Sequence, residues 1–397
     1  MRQRALAVMR GKQPDRLPFI TRLETWYKSH QRTGTLPVEF RELSLPELHR
    51  SLNIGQLKFM VPFAYRLRGV EVCVWFNGER VVQDHEPVLE NFPGMWDYVS
   101  TEQAGTTIVE LMTPVGRLRL QHMLLAENVL SGTDPYLKEH VIKDEADFNT
   151  VEYILERLEW VPRYASYSDE QARLGENAFV VPLLLRIPFQ QVLLEYLGET
   201  PLFYSLYDHP KQVQRLLEIL DCQMLELLSQ VGELGAPYVE FPDNLHGAMT
   251  NPKLFREYCL PAYQRYSQVL HGQGKKVGSH TDGNVKPLLR LLAETGLDVC
   301  ESFSPFPLTD CRFEEAWAAW ESGPLIWGGI PSPILEEGTQ PDEFMAYIKG
   351  LFAKIDRPLI LGVVDLFMRH NSIERARYIA QELENKRWQF QKASVPA

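Results

Sequence analysis

The chain has 397 residues, of which 45% are hydrophobic and 23% are charged, a composition typical of a globular protein. Its formal net charge of −11 argues against nucleic acid or an anionic membrane surface as a partner, because neutralising phosphates requires a basic face. A local basic pocket for a small anion is compatible with this charge.

The N-terminal third predicts a mixture of helices and strands. Residues 2–10 form a predicted short helix, and "PFIT" a strand that ends near Arg22, Glu24 and Trp26. Residues 27–69 are mostly helical in pattern, with one strand expected in the 50–75 region. The β-rich run "GTTIVELMTPVGRLRLQHML" is interrupted by the turn signal "TPVG". We therefore predict an inserted antiparallel hairpin within a β-rich insertion at about residues 70–125.

From about residue 143 onward, short apolar runs alternate with amphipathic helical segments. The predicted strands are "AFVVPLLL", "APYVEF", "KKVGSH", "LDVCESF", "PLIWGGI" and "RPLILGVV". Such alternation implies parallel strands joined by right-handed crossovers. With "PFIT" and the strand near residues 50–75, the count is about eight, which favours a closed (β/α)8 TIM barrel over an open sheet. The absence of GxGxxG and Walker motifs supports the same choice, and we predict a single domain over residues 1–397.

Polar side chains follow most of these strands, where the active site of such a barrel lies. Several carboxylates meeting around one imidazole repel one another unless a cation or a proton compensates. This is the physical reason to expect a metal or an acid–base centre. The predicted catalytic residues are Glu240, His280, Asp282, Glu301 and Asp365, and the predicted substrate-binding residues are Arg22, Glu24, Trp26, Arg186, Gln190, Asp243, Asn244, Asn284 and Trp327.

The stretch "VGSHTDGN" is the most informative of these strand ends. Asp282 lies two residues after His280, so an extended backbone directs both side chains to the same side. A structural role for His280 as a hydrogen-bonding residue is the simpler alternative. Glu240 can likewise be a structural partner of Arg186, and Asp365 a helix cap, although Ser372 is better placed as the cap.

The other catalytic classes have little support. The five cysteines are scattered, with no CxxC pair and none at a strand exit, and the sequence contains no GxSxG motif. No apolar run approaches the roughly 20 residues needed to span a bilayer, and the charged N-terminus does not look like a signal peptide. We expect a soluble, cytoplasmic protein with reduced cysteines.

Three parts of the sequence resemble the uroporphyrinogen decarboxylase superfamily, which includes cobamide-dependent methyltransferases. They are "RALAVMRGKQPDRLPF", "NPKLFREYCLPAYQ" with the following "GKKVGSHTDGN" and "LLAETGLDVCESFSP", and "LILGVVD" with "NSIERARYIAQELE". The resemblance covers most of the chain and implies a (β/α)8 barrel and a homodimer. Its motifs are more specific for the superfamily than for a reaction.

The departures from known members narrow the set of reactions that the resemblance implies. Uroporphyrinogen decarboxylases have an "MRQAGRY"-like segment after the first strand, whereas here "ITRLETWYKSHQRTG" retains one matching arginine, Arg22. Thiol-methylating relatives hold zinc with His-x-Cys and a later Cys, whereas here Asp282 follows His280 and Asp365 occupies the region of the later Cys. The pattern is more similar to relatives in which glutamates and a histidine bind zinc. That resemblance implies zinc ligation by His280, Glu240 and Asp282, with Glu301 or Glu257 as other third ligands.

The expected function is therefore a corrinoid-dependent methyltransferase or demethylase that acts on a small methylated substrate. A metal, or a carboxyl group acting as a general acid, would polarise the methyl donor, and a separate corrinoid-binding protein would accept the methyl group. The alternative is a decarboxylase of uroporphyrinogen or a related acid, which would need no metal and would cluster at least two arginines. A third hypothesis is a non-catalytic tetrapyrrole-binding protein.

Overall fold

The computed structural model describes residues 1–321, 323–364, 366–388 and 390. The strands in this part of the chain are β1 (Ile20–Thr21), β2 (Gly55–Met60), β3 (Phe63–Leu67), β4 (Glu71–Phe76), β5 (Glu79–His85), β6 (Val88–Leu89), β7 (Gly105–Thr113), β8 (Gly116–Leu124), β9 (Tyr136–Glu139), β10 (Leu158–Pro162), β11 (Ala178–Pro182), β12 (Tyr238–Phe241), β13 (Lys276–His280), β14 (Val299–Phe303), β15 (Leu325–Pro331) and β16 (Ile360–Val364).

The α-helices are α1 (Arg2–Met9), α2 (Glu24–Arg32), α3 (Leu45–Ser51), α4 (Ala126–Ser131), α5 (Glu145–Leu155), α6 (Tyr164–Leu174), α7 (Pro188–Gln191), α8 (Glu199–Asp208), α9 (Pro210–Gln230), α10 (Pro252–Leu254), α11 (Leu260–Gly272), α12 (Leu289–Leu292), α13 (Phe313–Ala319), α14 (Pro341–Lys354) and α15 (Ile373–Asn385). Two π-helical turns, Val192–Tyr196 and Phe255–Cys259, follow α7 and α10. Within the described residues, no helix is both long enough and apolar enough to cross a bilayer.

The chain divides into two compact units. Unit 1 comprises residues 1–60, 167–184 and 236–397, and unit 2 comprises residues 61–166 and 185–235. Each unit contains its own sheets, and the candidate catalytic residues that the structure describes all belong to unit 1.

Unit 1 is built on parallel strands. One sheet has the order β1-β2-β11 and the other the order β12-β13-β14-β15-β16, and all neighbours pair in parallel. Two isolated parallel bridges lie at the ends of these sheets, one between Phe19 and Leu361 and one between Leu183 and Glu240. These eight strands are the eight that the sequence predicts, and the mixed α/β fold with parallel sheets is confirmed.

The strands of unit 1 read as apolar runs because they are buried on both faces. Every residue of β11, β12, β14, β15 and β16 is buried. The helices that follow carry the expected start signals: the Asn251 side chain accepts from the backbone of α10, and the Ser372 side chain accepts from Arg375 N at 3.4 Å. Ser372 is therefore the cap of the last helix, as the sequence predicts.

Unit 2 is antiparallel. Its five-stranded sheet has the order β5-β4-β7-β8-β9, and the turn between Thr113 and Gly116 joins β7 to β8. The predicted hairpin is confirmed, and it is part of a larger sheet than the sequence indicates. A second sheet has the order β10-β3-β6. Helix α5 packs on β8 and α9.

Two local predictions are wrong. Phe63–Leu67 was expected within a mostly helical region but forms a strand, because it pairs along its whole length with Leu158–Pro162. The strand predicted from "AFVVPLLL", which would place Arg186 at its exit, stops at Pro182. Arg186 consequently belongs to unit 2 rather than to a strand exit of unit 1.

Candidate active site

Three buried side chains converge at the ends of adjacent strands. Glu240 lies on β12, His280 ends β13, and Glu301 lies on β14. The register pairs Glu240 with Gly278 and His280 with Glu301, which places the three functional groups on one edge of the sheet. One potential ligand atom from each residue lies within 4.8 Å of those of the other two.

The His280 imidazole is held from both sides by carboxylates. Its Nδ1 atom is hydrogen-bonded to Glu301 Oε2 and lies 3.9 Å from Glu240 Oε1. Its Nε2 atom lies 3.7 Å from Asp282 Oδ2. Burial lowers the pKa of His280, but the charges and hydrogen bonds of Glu301 and Asp282 outweigh burial and raise the pKa to about 10.

Glu240 is the least exposed member of the group, at 0%. Burial and the nearby charge of Glu301 raise its pKa well above the usual value. The Tyr238 hydroxyl donates to Glu240 Oε2 at 2.7 Å, whereas Glu240 Oε1 has no hydrogen-bond partner in the described part of the chain. The open oxygen is the one on the His280 side, which is a position for a cation or a ligand donor.

Asp282 and Asn244 form an outer layer on the Nε2 side of the imidazole. Asn244 Nδ2 donates to Asp282 Oδ2 at 2.9 Å. Burial raises the pKa of Asp282, but the hydrogen bond and charge of His280, together with Asn244, lower it overall. Asp282 thus orients the ring, and Glu301 takes the place in the metal-capable group that the sequence assigned to Asp282.

Asn244 has a left-handed backbone, with φ of 50°, which asparagine tolerates better than most residues. Replacing it with glycine keeps this backbone and removes the amide that holds Asp282. Since the buried group could hold a metal ion, we expect Asn244→Gly to weaken the binding of added zinc by about 10-fold, the lower end of the range for losing an outer-layer partner. Competition with a chromogenic chelator measures the affinity, and Asn53→Gly is the matched control because Asn53 also has a positive φ of 55°. Equal affinity in both variants would show that Asp282 does not depend on Asn244.

The backbone next to Glu301 is irregular. Ser302 has φ of 58°, and the pairing of β14 with β15 shifts register between Cys300 and Phe303. Bulges of this kind redirect side chains and are frequent beside active sites, and strained backbone is found there too. The irregularity lies directly beside Glu301, whose carboxylate is hydrogen-bonded to His280 Nδ1.

Asp243, predicted to bind substrate, is 0% exposed and part of a different network. Its Oδ2 atom accepts from Tyr263 at 2.5 Å and from Ser279 Oγ at 3.0 Å. These bonds tie the loop after β12 to β13 and α11, directly before Asn244. The hydrogen bonds of Asp243 therefore help to fix the loop that carries Asn244.

After β1, Arg22 Nε lies 3.9 Å from Glu24 Oε1. The Arg22 guanidinium carbon lies over the Phe59 ring, 5.3 Å from its centroid. Phe59 in turn meets the His280 ring edge to face at 6.2 Å. This chain of contacts brings Arg22 next to the candidate centre. Trp26, by contrast, is 2% exposed and packs against His30 and Phe40 in the core of unit 1.

The remaining predicted residues lie elsewhere. Trp327 is in the first half of β15, and its indole packs against Phe179 and Tyr238 in the core and donates to Ile20 O at 3.3 Å. It was expected at a strand exit, but the strand continues to Pro331. Asn284 donates to Asp310 in a loop.

Arg186 and Gln190 belong to unit 2, where Arg186 Nε lies 2.9 Å from Glu195 Oε1 and Gln190 is 1% exposed. This ion pair is not the pair with Glu240 considered from the sequence. Glu257 lies in the π-helical turn after α10 and outside the metal-capable group. Asp365 lies outside the described residues.

Sequence reasoning missed Tyr238, Gly278 and Phe59. Tyr238 precedes Glu240 by two residues on one strand, so both side chains point the same way, and this spacing was an available signal. A Cβ atom on Gly278 would lie 2.0 Å from the Tyr238 hydroxyl oxygen. The absence of a side chain at Gly278 therefore leaves the space that the Tyr238 hydroxyl occupies. Phe59 gave no signal, because it depends on tertiary packing.

Comparisons with known proteins agree with this fold. Residues 200–333, which contain Glu240, His280 and Glu301, match the family model described as uroporphyrinogen decarboxylase (URO-D). A solved structure of a methyltransferase from Methanosarcina mazei is similar over 97% of this chain and 98% of that chain, with 12% sequence identity and a TM-score of 0.53. At this identity the likeness concerns the fold. No curated protein matches the chain. The family-model match confirms the predicted resemblance to the uroporphyrinogen decarboxylase superfamily over residues 200–333.

Proposed function

We propose that this uroporphyrinogen decarboxylase-like protein is a zinc-dependent methyltransferase that moves a methyl group from a small methylated substrate to a corrinoid carried by a separate protein. The observation that carries the proposal is the buried group of Glu240, His280 and Glu301, whose ligand atoms lie within 4.8 Å of one another. A decarboxylase has no need of such a group, and the "MRQAGRY"-like segment expected for one after β1 retains a single matching arginine, Arg22.

The donor set suits zinc. One imidazole nitrogen and two carboxylate oxygens with an open fourth position are the ligands of a catalytic zinc site. Glu240 Oε1 is buried and has no hydrogen-bond partner among the described residues, so a bound cation would satisfy it. Asp282, held by Asn244, orients the imidazole in the way that outer-layer carboxylates orient metal-binding histidines.

When bound, zinc supplies Lewis-acid polarisation of the oxygen or nitrogen from which the methyl group departs. The residues of the chain arrange the surroundings. Tyr238 fixes Glu240 Oε2 and so leaves Oε1 directed at His280. Phe59 covers one edge of the imidazole, which limits water and strengthens electrostatic interactions in the site.

The corrinoid belongs to the partner protein and accepts the methyl group. With a methoxy donor, the reduced Co(I) corrinoid would supply the electron pair of the new bond to the methyl carbon. The electron pair of the broken carbon–oxygen bond would leave with the oxygen, which would take up a proton, so the step would consume no external oxidant or reductant.

The test is methylcobalamin formation, followed by its absorbance, from reduced cobalamin and a panel of methoxy and methylamine donors. We expect formation with at least one donor in the zinc-loaded enzyme and a loss of about 100-fold in Glu240→Gln, since the substitution replaces a charged ligand by a neutral amide. Release of carbon dioxide from uroporphyrinogen, with no methyl transfer from any donor, would contradict the proposal.

The architecture that accompanies this function is a closed (β/α)8 barrel. Its support is the pair of parallel bridges, Phe19 with Leu361 and Leu183 with Glu240, which connect the ends of the two parallel sheets. Backbone bonds from Leu361 N to Pro18 O at 2.9 Å and from Leu184 N to Glu240 O at 2.8 Å reinforce them. A single domain over residues 1–397, a homodimer and a cytoplasmic location stay predictions from the sequence.

A further inference from the structure

A cavity of about 350 Å³ lies in unit 1 between β2, α2, the start of α3 and α6. Its volume is within the usual range for small-molecule sites. Four cationic and two anionic side chains from β2, α2, α6 and the segment before α2 line it: Arg22, Lys28, Lys58, Arg173, Glu24 and Glu170. In a chain whose net charge is −11, this cavity is a local excess of positive charge.

The carboxylates neutralise only part of this charge. Glu170 accepts two hydrogen bonds of 2.7 Å from Arg173, and Glu24 lies 3.9 Å from Arg22. The ammonium groups of Lys28 and Lys58 have no carboxylate within 4.0 Å among the residues that the structure describes. Two lysines are therefore available to an anion that enters the cavity.

Gln56 supplies a second, independent indication of a ligand. It lines the cavity and is 6% exposed, and its side-chain oxygen has no hydrogen-bond partner within the described residues. Leaving a buried acceptor unpaired is costly, so a hydroxyl or amine on a ligand would stabilise it. An oxyanion that also carries a donor group meets both features of the cavity.

The cavity and the candidate metal group share a wall. Phe59 lines the cavity, and its ring lies 6.2 Å from the His280 ring and 5.3 Å from the Arg22 guanidinium carbon. A ligand bound by the cationic side chains is thus separated from the imidazole by one aromatic ring.

We propose that this cavity binds the carboxylate or phosphate group of the methylated substrate, so that the substrate of this enzyme is a small oxyanion bearing a hydrogen-bond donor. The inference rests on the proposed function for the identity of the ligand as substrate. The existence of the anion site itself does not depend on zinc or on methyl transfer.

Calorimetric titration with inorganic phosphate tests the site. Relative to the wild type, the Lys28→Gln/Lys58→Gln variant is expected to bind phosphate about 10-fold more weakly, because two nearby positive charges are lost. The matched control is Lys12→Gln/Lys211→Gln, which removes the same charge from exposed positions outside the cavity lining. Equal affinity in the two double variants would overturn the inference, as would a wild type that binds no phosphate.

A second variant tests the direction of the charge effect. Glu170→Gln removes the carboxylate that competes for Arg173, so we expect it to bind phosphate several-fold more tightly than the wild type. A merely structural role for these side chains does not produce opposite changes in the lysine and glutamate variants. Unchanged or weaker binding in Glu170→Gln would contradict a charge-based site.

The substrate class is tested with a matched pair of methoxy compounds. 3-Hydroxy-2-methoxypropanoate, which carries both a carboxylate and a hydroxyl donor, is expected to compete with phosphate, and the neutral 2-methoxypropane-1,3-diol is not. In the methyl transfer assay, Lys28→Gln/Lys58→Gln should raise KM for 3-hydroxy-2-methoxypropanoate about 10-fold with kcat unchanged. Phosphate binding without any methyl transfer would contradict the proposed function but not the anion site. Methyl transfer from neutral donors alone would contradict the anionic substrate but not the proposed function.

Discussion

Replacing His280 with alanine is expected to abolish stoichiometric zinc binding and to lower the rate of methyl transfer by at least about 100-fold, more than the loss of an outer-layer partner causes. His280 supplies the only imidazole of the metal-capable group, and its Nδ1 atom faces both Glu240 and Glu301. Without it, a metal ion would have two carboxylate ligands from this group and no nitrogen ligand. Elemental analysis after dialysis against metal-free buffer measures the zinc content, for which the wild type should give about one equivalent per chain.

The matched control is His85→Ala, because the His85 side chain is 72% exposed in unit 2. This variant should keep the zinc content and rate of the wild type. A His280→Ala variant that retained full zinc and full activity would end the assignment of His280 as a ligand.

Gly278→Ala is expected to destabilise the fold by about 1–3 kcal/mol, the usual cost of overpacking a filled core. The new Cβ atom would lie 2.0 Å from the Tyr238 hydroxyl oxygen and 2.8 Å from the carbon that carries it, so the ring has to move. Because Tyr238 also donates to Glu240 Oε2, the same change should weaken zinc binding. Urea unfolding measures the free energy, and the chelator competition measures the affinity.

A double-mutant cycle isolates the clash. In a Tyr238→Phe background the hydroxyl oxygen is gone, and the added cost of Gly278→Ala should fall by roughly half. Gly338→Ala is the control, since no atom lies within 4 Å of a Cβ atom built there. If Gly278→Ala were no more costly than Gly338→Ala, the close approach of Tyr238 to β13 would be wrong.

Much of unit 1 was predictable because buried parallel strands read as uninterrupted apolar runs. The strands of unit 2 are harder, since β10 is only partly buried and its sequence "LEWVP" continues the helical pattern of "VEYILERLEW". What makes it a strand is its pairing with β3, a long-range contact that local periodicity does not contain.

The catalytic residues were predictable to the extent that they end strands. This rule selected Glu240, His280 and Glu301, which the structure brings together. It could not decide between Asp282 and Glu301 as the third member, because that choice depends on which imidazole nitrogen each carboxylate meets. It also misplaced Trp327, whose strand extends further than the apolar pattern alone defines.

Anomalous diffraction at the zinc absorption edge, from crystals of protein purified without chelator, tests the central claim most directly. The account predicts one strong peak about 2.0–2.2 Å from His280 Nδ1 and from a carboxylate oxygen of both Glu240 and Glu301. No peak in zinc-loaded crystals, or a peak on the Asp282 side of the imidazole, would contradict it.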